Sequence, residues 1–375
     1  MSKVYPLFKP YVSKASVLNS IGKTIDSGFL NEGEQVREFR KSLSSFLKCN
    51  NIVMVNSCTS ALTLAVKLSG VERDTEVITT AQTCVATNTP IIANGGKIVW
   101  ADISSDTGTL DPKSVEEKIT PLTKAVMCVA WAGMPPYLQE LREICDKHGL
   151  KLIIDAAQAF GCKYKSKDIS SFADFTCYSF QAIKHLSTGD GGALVCASSD
   201  DWERANKLKW FGIDKEATLS DKGEWKGQRW DVDIEEAGFK FNMNNITASI
   251  GLCQMHAINA VLSRYKKNAA TYAEIFKDHS SINSLEYPNS SEPSFWTYGV
   301  LVNNRDQVLE NINAKGVKGS LVHIPNHYYK CFSEYYVDLP ETEKFYNKQM
   351  HLPCGWWLEG KDIQEIADIV IGELS

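Results

Sequence analysis

KLIIDAAQAFGCKYKSKDISSFADFTCYSFQAIKHLSTGDGGALVCA, residues 151–197, holds three short apolar runs: KLIIDAA (151–157), FTCYSF (175–180) and GALVCA (192–197). Each is apolar almost throughout rather than alternating, which suits strands buried on both faces of a sheet covered by helices. No helix-length pattern separates the last two runs, so they are expected to pair antiparallel. Four further runs precede them: IVMV (52–55), EVITT (76–80), KIVWADI (97–103) and AVMCVA (125–130). Helical patterns lie between most of them: TSALTLAVKLSG (59–70), CVATNTPIIANGG (84–96) and YLQELREICDKHG (137–149). Repeated strand–helix units predict an α/β domain with a mostly parallel central sheet, whose ligands sit at the carboxyl ends of the strands.

On either side of this block the pattern changes. Residues 16–25 and 34–48 have helical spacing, with a loop at 27–33 between them. A helix is expected over 201–209, followed by a polar, Trp-rich loop to about 237. Residues 248–276 read as one long helix or two joined ones, and the remainder mixes short strands and helices. The expected organisation is an N-terminal segment (1–30), a large cofactor-binding α/β domain (31–260) and a smaller C-terminal α/β domain (261–375).

Composition excludes several classes. The 375 residues are 43% apolar and 23% charged, an ordinary globular balance. A net charge of −5 argues against a nucleic-acid binder held by phosphate contacts. The N-terminus carries no secretory signal pattern, and no apolar run approaches the roughly 20 residues of a membrane span. Eleven cysteines are scattered without a CxxC pair, which points to free thiols in a reducing, cytoplasmic setting with no metal site. His323 and His327 are four apart, but Pro325 and Asn326 between them argue against a helical metal pair.

Three segments carry chemistry. In VNSCTSAL (55–62) a buried strand gives way to a helix start, where N–H groups and hydroxyls make an anion site or, more simply, an N-cap. In IIDAAQAFG (153–161) Asp155 ends an apolar strand, either as a helix cap or as a functional carboxylate whose burial needs a partner. In YSFQAIKHLSTGDGGA (178–193) Lys184 sits among apolar neighbours ahead of GDGG. A lysine held neutral can bond to a carbonyl, and the glycines permit a tight return into the next strand. An acid at a strand end, a loop lysine and an upstream phosphate-type turn are together the parts that pyridoxal phosphate requires.

The chain resembles the DegT/DnrJ/EryC1/StrS family of sugar aminotransferases, which have fold type I architecture. The resemblance rests on SGFLNEG (27–33), NSCTSAL (56–62), DAAQA (155–159), SFQAIK with TGDGG (179–192), GFKFNMNN (238–245) and MHLP (350–353). It implies pyridoxal 5'-phosphate as cofactor, bonded to Lys184, which later moves protons, with Asp155 on the pyridine nitrogen and Gln158 near the ring hydroxyl. Cys58, Thr59 and Ser179 would hold the phosphate. The 238–245 segment would reach the phosphate of a second subunit, making a homodimer with shared active sites; relatives often have Asn where this chain has Lys240, so Lys240 or Asn242 would make that contact. Relatives also place an aromatic residue against the cofactor ring where this chain has Cys84.

A related branch replaces the lysine with histidine and dehydrates its substrate; here Lys184 is present and His185 follows it. The implied reaction is transfer of an amino group, from glutamate, to a keto sugar of a nucleotide-linked deoxysugar, as in polysaccharide biosynthesis. The alternatives are a sugar dehydratase or an aminotransferase for a cyclitol or small phosphorylated ketone. Candidate substrate contacts are Trp225, Arg229 and Trp230 of the polar loop and His323, Tyr328 and Tyr329 of HIPNHYY (323–329).

Overall fold

All seven apolar runs enter one sheet. The computed structural model describes residues 3–214, 227 and 233–374. Its strands are β1 (Ile52–Val55), β2 (Glu76–Thr79), β3 (Lys97–Trp100), β4 (Thr123–Val129), β5 (Lys151–Asp155), β6 (Phe175–Ser179) and β7 (Gly192–Cys196). They lie side by side in the order β1-β7-β6-β5-β4-β2-β3. The pairs from β6 through β3 are parallel; β7 alone runs against both its neighbours, β6 and β1. The carboxyl ends of β1, β2, β4, β5 and β6 therefore share one edge.

Alternation along each strand feeds two cores. Ile52, Met54, Ile78, Val126, Cys128, Leu152 and Ile154 join one apolar cluster, while Val53, Val55, Val77, Ala125, Met127 and Ile153 join the other. Both faces are buried, so the period of two is present in the structure but invisible as polarity in the sequence. Helices α1 (Lys14–Asp26), α2 (Glu34–Leu47), α3 (Cys58–Leu68), α4 (Val85–Ala93), α5 (Pro112–Glu117), α6 (Leu138–His148) and α7 (Ser199–Leu208) surround this sheet. The apolar run at 97–103 yields a strand only to Trp100. Asp102 turns away, and its carboxylate accepts hydrogen bonds from the Glu341 and Thr342 backbone N–H groups and the Thr342 hydroxyl.

The 248–276 stretch forms two helices, α8 (Asn245–Met255) and α9 (Ile258–Phe276), bent by 61°. Ile258 and Leu262 of α9 face the large-sheet core; Val261, Tyr265, Tyr272 and Phe276 face a third cluster. That third core lies under an antiparallel sheet of β8 (Ile282–Ser284), β9 (Tyr298–Val302) and β10 (Gln349–Leu352). Helices α10 (Arg305–Ala314), α11 (Pro340–Tyr346) and α12 (Gly360–Gly372) complete the C-terminal region. Near the N-terminus, Tyr5 pairs with Val317 and is buried in this same core. No single helix among the described residues is long and apolar enough to cross a membrane.

Candidate active site

At the shared carboxyl edge, β1 ends and α3 begins with Ser57 as its cap, its hydroxyl accepting the Ser60 N–H at 3.1 Å. The next two N–H groups, of Cys58 and Thr59, donate no hydrogen bond within the described residues. This helix start rests directly on β7. A Cβ at Gly192 would come within 2.6 Å of the Cys58 nitrogen, so only glycine lets the sheet edge approach the turn so closely. Gly192 lies opposite Val55 and Ser179 in register, which brings Ser179 beside the same turn.

Asp155 ends β5 and is 5% exposed. Its Oδ2 accepts the Thr87 hydroxyl at 2.7 Å and its Oδ1 the Ala157 N–H at 3.0 Å. Burial pushes its carboxyl upward; these two hydrogen bonds, then the charge of Lys184, pull it back. Gln158 is buried three residues on, and its Oε1 accepts the Ala132 N–H at 2.7 Å. That bond holds Ala132 in the left-handed region, φ 54°, just before Gly133 at φ 92°. The Gln158 amide nitrogen donates to none of the described residues, which leaves it for a bound group.

Lys184 follows β6 in a short turn, its N–H bonded to the Gln181 carbonyl at 2.9 Å. The half-buried amine lies 3.7 Å from the centroid of the Trp296 ring. Burial lowers its pKa to about 8, against the raising influence of Asp155, Cys58 and Cys84. Cys84 caps the start of α4, half-buried, with its thiol pushed up mainly by burial and next by the Asp155 charge. Lys184, Asp155, Cys58 and Cys84 thus lie within electrostatic reach of one another.

The remaining expected residues divide. Lys240 Nζ donates to Asn242 Oδ1 at 2.5 Å and lies 4.3 Å from the Trp210 ring centroid. Asn242 is buried, its amide nitrogen donating to Asn31 Oδ1 and the Met243 carbonyl, and its backbone bridges Val55 beside the α3 turn. His323 packs edge-on to Trp131, ring centroids 5.9 Å apart, and its pKa falls to about 4 through burial and then the charge of Lys184. Tyr328 and Tyr329 are exposed; the Tyr328 ring lies 4.1 Å from that of His327 and its hydroxyl bonds Glu343 at 3.4 Å. Neither tyrosine makes a hydrogen bond or ring contact with Lys184, Asp155 or His323 among the described residues. Trp225, Arg229 and Trp230 lie outside the described residues. No cluster of three or more His, Cys, Asp or Glu suited to a metal occurs among the described residues.

Trp296 was not legible as a site residue. Its ring covers the Lys184 amine, its indole N–H donates to the Ile183 carbonyl at 2.8 Å, and Phe8 stacks on it at 4.6 Å. It is seated by Gly133, where a Cβ would come within 2.7 Å of the Phe295 and Trp296 nitrogens. The contact is purely tertiary and has no local signal.

The model of the DegT/DnrJ/EryC1/StrS aminotransferase family matches residues 13–371. Over 358 residues, 93% of this chain and 92% of the other, the sequence is 28% identical to UDP-4-amino-4,6-dideoxy-N-acetyl-beta-L-altrosamine transaminase of Helicobacter pylori. Among solved structures, the sugar aminotransferase CalS13 from Micromonospora echinospora superposes with a TM-score of 0.92 at 29% identity, covering 98% of this chain and 99% of that one. Spr1654 from Streptococcus pneumoniae in its PMP form superposes with a TM-score of 0.90 at 25% identity, covering 98% of both.

Proposed function

The chain belongs to the DegT/DnrJ/EryC1/StrS aminotransferase family, a pyridoxal phosphate-dependent sugar aminotransferase by that membership, and from that premise we propose that it moves the amino group of glutamate onto the ketone of a nucleotide-linked deoxysugar. The observation that carries the reading is Lys184: a half-buried amine with its pKa lowered to about 8, facing a buried carboxylate across the carboxyl edge of the sheet. A nucleotide sugar as substrate is supported by the relative that acts on a UDP-linked one.

The residues fit the cofactor. The unpaired N–H groups of Cys58 and Thr59, with Ser179, which the register places opposite Gly192, would hold its phosphate. Asp155 would meet the ring nitrogen, and the Gln158 amide the ring oxygen. When bound, pyridoxal phosphate supplies the aldehyde and an electron-withdrawing ring. Lys184 would hold the group through its amine and, when neutral, would take up and return the proton at the reacting carbon. His323, neutral above about pH 4, offers the substrate either a donor or an acceptor nitrogen.

The functional unit would be a cytoplasmic homodimer with shared sites. Every polar atom of the Asn242 side chain is engaged within its own subunit, whereas Lys240 is exposed with ammonium protons to spare. Lys240 is therefore the phosphate contact of this segment, oriented by Asn242. The test is a panel of nucleotide-linked keto sugars, free cyclitol ketones and small phosphorylated ketones, each incubated with holoenzyme and glutamate. Amine formed only from the nucleotide-linked ketones, and lost in Lys184→Ala, is the expected result; amine from the free ketones alone, or a dehydrated product, overturns the reading.

A further inference from the structure

A chain of two hydroxyls ends on Asp155. Thr87 Oγ1 donates to Asp155 Oδ2 at 2.7 Å, and Thr83 Oγ1 lies 2.7 Å from Thr87 Oγ1. All three side chains are buried. A threonine hydroxyl has one proton, and that of Thr87 goes to Asp155; Thr83 must then be the donor to Thr87. In the opposite polarity a protonated Asp155 would donate to Thr87, and Thr87 to Thr83. The Thr83 proton would then need an acceptor, and its hydroxyl has no hydrogen-bond partner but Thr87 among the described residues. That arrangement strands a buried donor, which is costly. The chain is therefore polarised toward an ionised Asp155.

The C-terminal unit clamps this arrangement. Asn326, fully buried, donates from its backbone to the Ala81 carbonyl and from its side chain to the Thr83 carbonyl, both at 2.7 Å. Its Oδ1 accepts the Asn88 amide at 2.9 Å, and Asn88 in turn accepts the Thr79 hydroxyl at 3.0 Å. One asparagine thus fixes both flanks of the Thr83–Thr87 pair.

We propose that Thr83 and Thr87 are positioning residues that keep Asp155 ionised and oriented toward the ring nitrogen, and that Asn326 holds them in place. The part concerning the ring rests on the reading of the site given above; the part concerning Asp155 itself does not. The titratable groups facing Asp155 are Lys184 after β6 and the thiols of Cys58 on α3, Cys84 before α4, Cys128 on β4 and Cys177 on β6. Each thiol is pushed up by burial, so Lys184 alone carries charge near neutral pH.

The test is a carbon-13 NMR titration of the cofactor-free protein labelled at the Asp carboxyl carbons, with Asp155 assigned by its loss in Asp155→Asn. Thr87→Val should raise the Asp155 midpoint by about one pH unit. Thr83→Val and Asn326→Leu should raise it less, and Thr87→Ser should restore it. Thr87→Ala serves in place of valine if that variant does not fold. A midpoint unmoved by loss of the Thr87 hydroxyl, or one moved as far by serine as by valine, overturns the proposal. An unmoved midpoint in Thr83→Val overturns the two-member chain. Because no cofactor is present, failure of the protein to bind pyridoxal phosphate would count against the site reading alone.

Discussion

Lys184 Nζ lies 3.7 Å from the centroid of the Trp296 ring, while the Trp296 indole N–H holds the carbonyl of the preceding residue, Ile183, at 2.8 Å. One side chain thus grips the lysine at its amine and at its backbone. Two effects compete at the amine. Burial disfavours the ammonium, and the indole face favours it by about 0.5–2 kcal/mol. Burial prevails, since the pKa falls from 10.5 to about 8, but the amine stays close to the pH at which both forms coexist. A group that must attack a carbonyl and later carry protons works best there.

Capture of pyridoxal phosphate by the cofactor-free protein should therefore speed up with pH, with a one-proton midpoint near the Lys184 pKa of about 8. Stopped-flow absorbance measures it, and borohydride followed by peptide mapping should leave the label on Lys184. The same shift predicts a stability effect. The folded pKa is depressed, so the charged form is penalised at and below about pH 8, and the penalty fades as pH rises toward the unfolded value of 10.5. Cofactor-free Lys184→Met should be more stable than wild type at neutral pH, by at most about 3 kcal/mol, with the gap closing in alkali. A capture rate that is flat across this range, or a label on another lysine, would remove Lys184 from the role given to it.

Trp296→Phe keeps an aromatic face but drops the hydrogen bond to Ile183; Trp296→Leu drops both. Losing a neutral hydrogen bond costs about 1 kcal/mol, so the phenylalanine variant should capture cofactor roughly fivefold more slowly. The leucine variant should be slower still, with kcat falling more than KM rises. Both variants within about twofold of wild type would mean that Lys184 is positioned by its own turn alone.

Asp155→Asn should still bind cofactor but transaminate poorly. The amide is nearly isosteric, but its single oxygen can accept only one of the two hydrogen bonds that Thr87 and Ala157 donate to the carboxylate, and it cannot stabilise a pyridinium charge. The loss should be at least about 2 kcal/mol, or more than tenfold in kcat. Single-turnover kinetics with glutamate reads this directly, and near-wild-type rates would show that another group meets the ring nitrogen.

The fold was legible where burial was two-sided. All seven strands of the large sheet appear as largely apolar runs, and the missing helix between 180 and 192 announced the antiparallel return of β7. Short polar elements were not legible: α5 has an Asp-Pro start but only Val115 buried, too little to show a period. Among the candidate site residues, Asp155, Cys58 and Lys184 had a local signal in a strand end, a helix start and the turn after a strand, whereas Cys84 came from the family resemblance alone. Trp296, Gly133 and Asn326 had no such signal, since their roles exist only where distant segments meet.

Shared sites predict complementation between two inactive variants. Subunits with Lys184→Ala lack the amine; subunits with Lys240→Ala and Asn242→Ala lack the 238–245 contacts. If those contacts serve the partner's site, a heterodimer contains one site that is wild type throughout, and up to about a quarter of normal activity should return in an equal mixture. Heterodimers that form, as followed by native mass spectrometry, without any return of activity would place the segment in its own subunit's site.

Cys84 should lie against the cofactor ring, and an aromatic residue there should tighten cofactor binding. Its place before α4, with the charges of Asp155 and Lys184 both acting on its thiol, puts it within the site. Ring-on-ring contact contributes about 0.5–1.5 kcal/mol beyond area burial, roughly two- to tenfold in affinity. Overpacking opposes it: a larger side chain in a filled space costs about 1–3 kcal/mol. The thiol is only half-buried, so space remains for the smaller ring, and Cys84→Phe should gain where Cys84→Trp loses. Turnover should fall in both, because the substrate side of the ring is built around a small residue. Cofactor release on dialysis, followed by absorbance, gives the affinity; alkylation of Cys84 with and without cofactor tests the contact. If cofactor leaves the alkylation rate unchanged and Cys84→Phe alters neither affinity nor turnover, the thiol faces away from the ring.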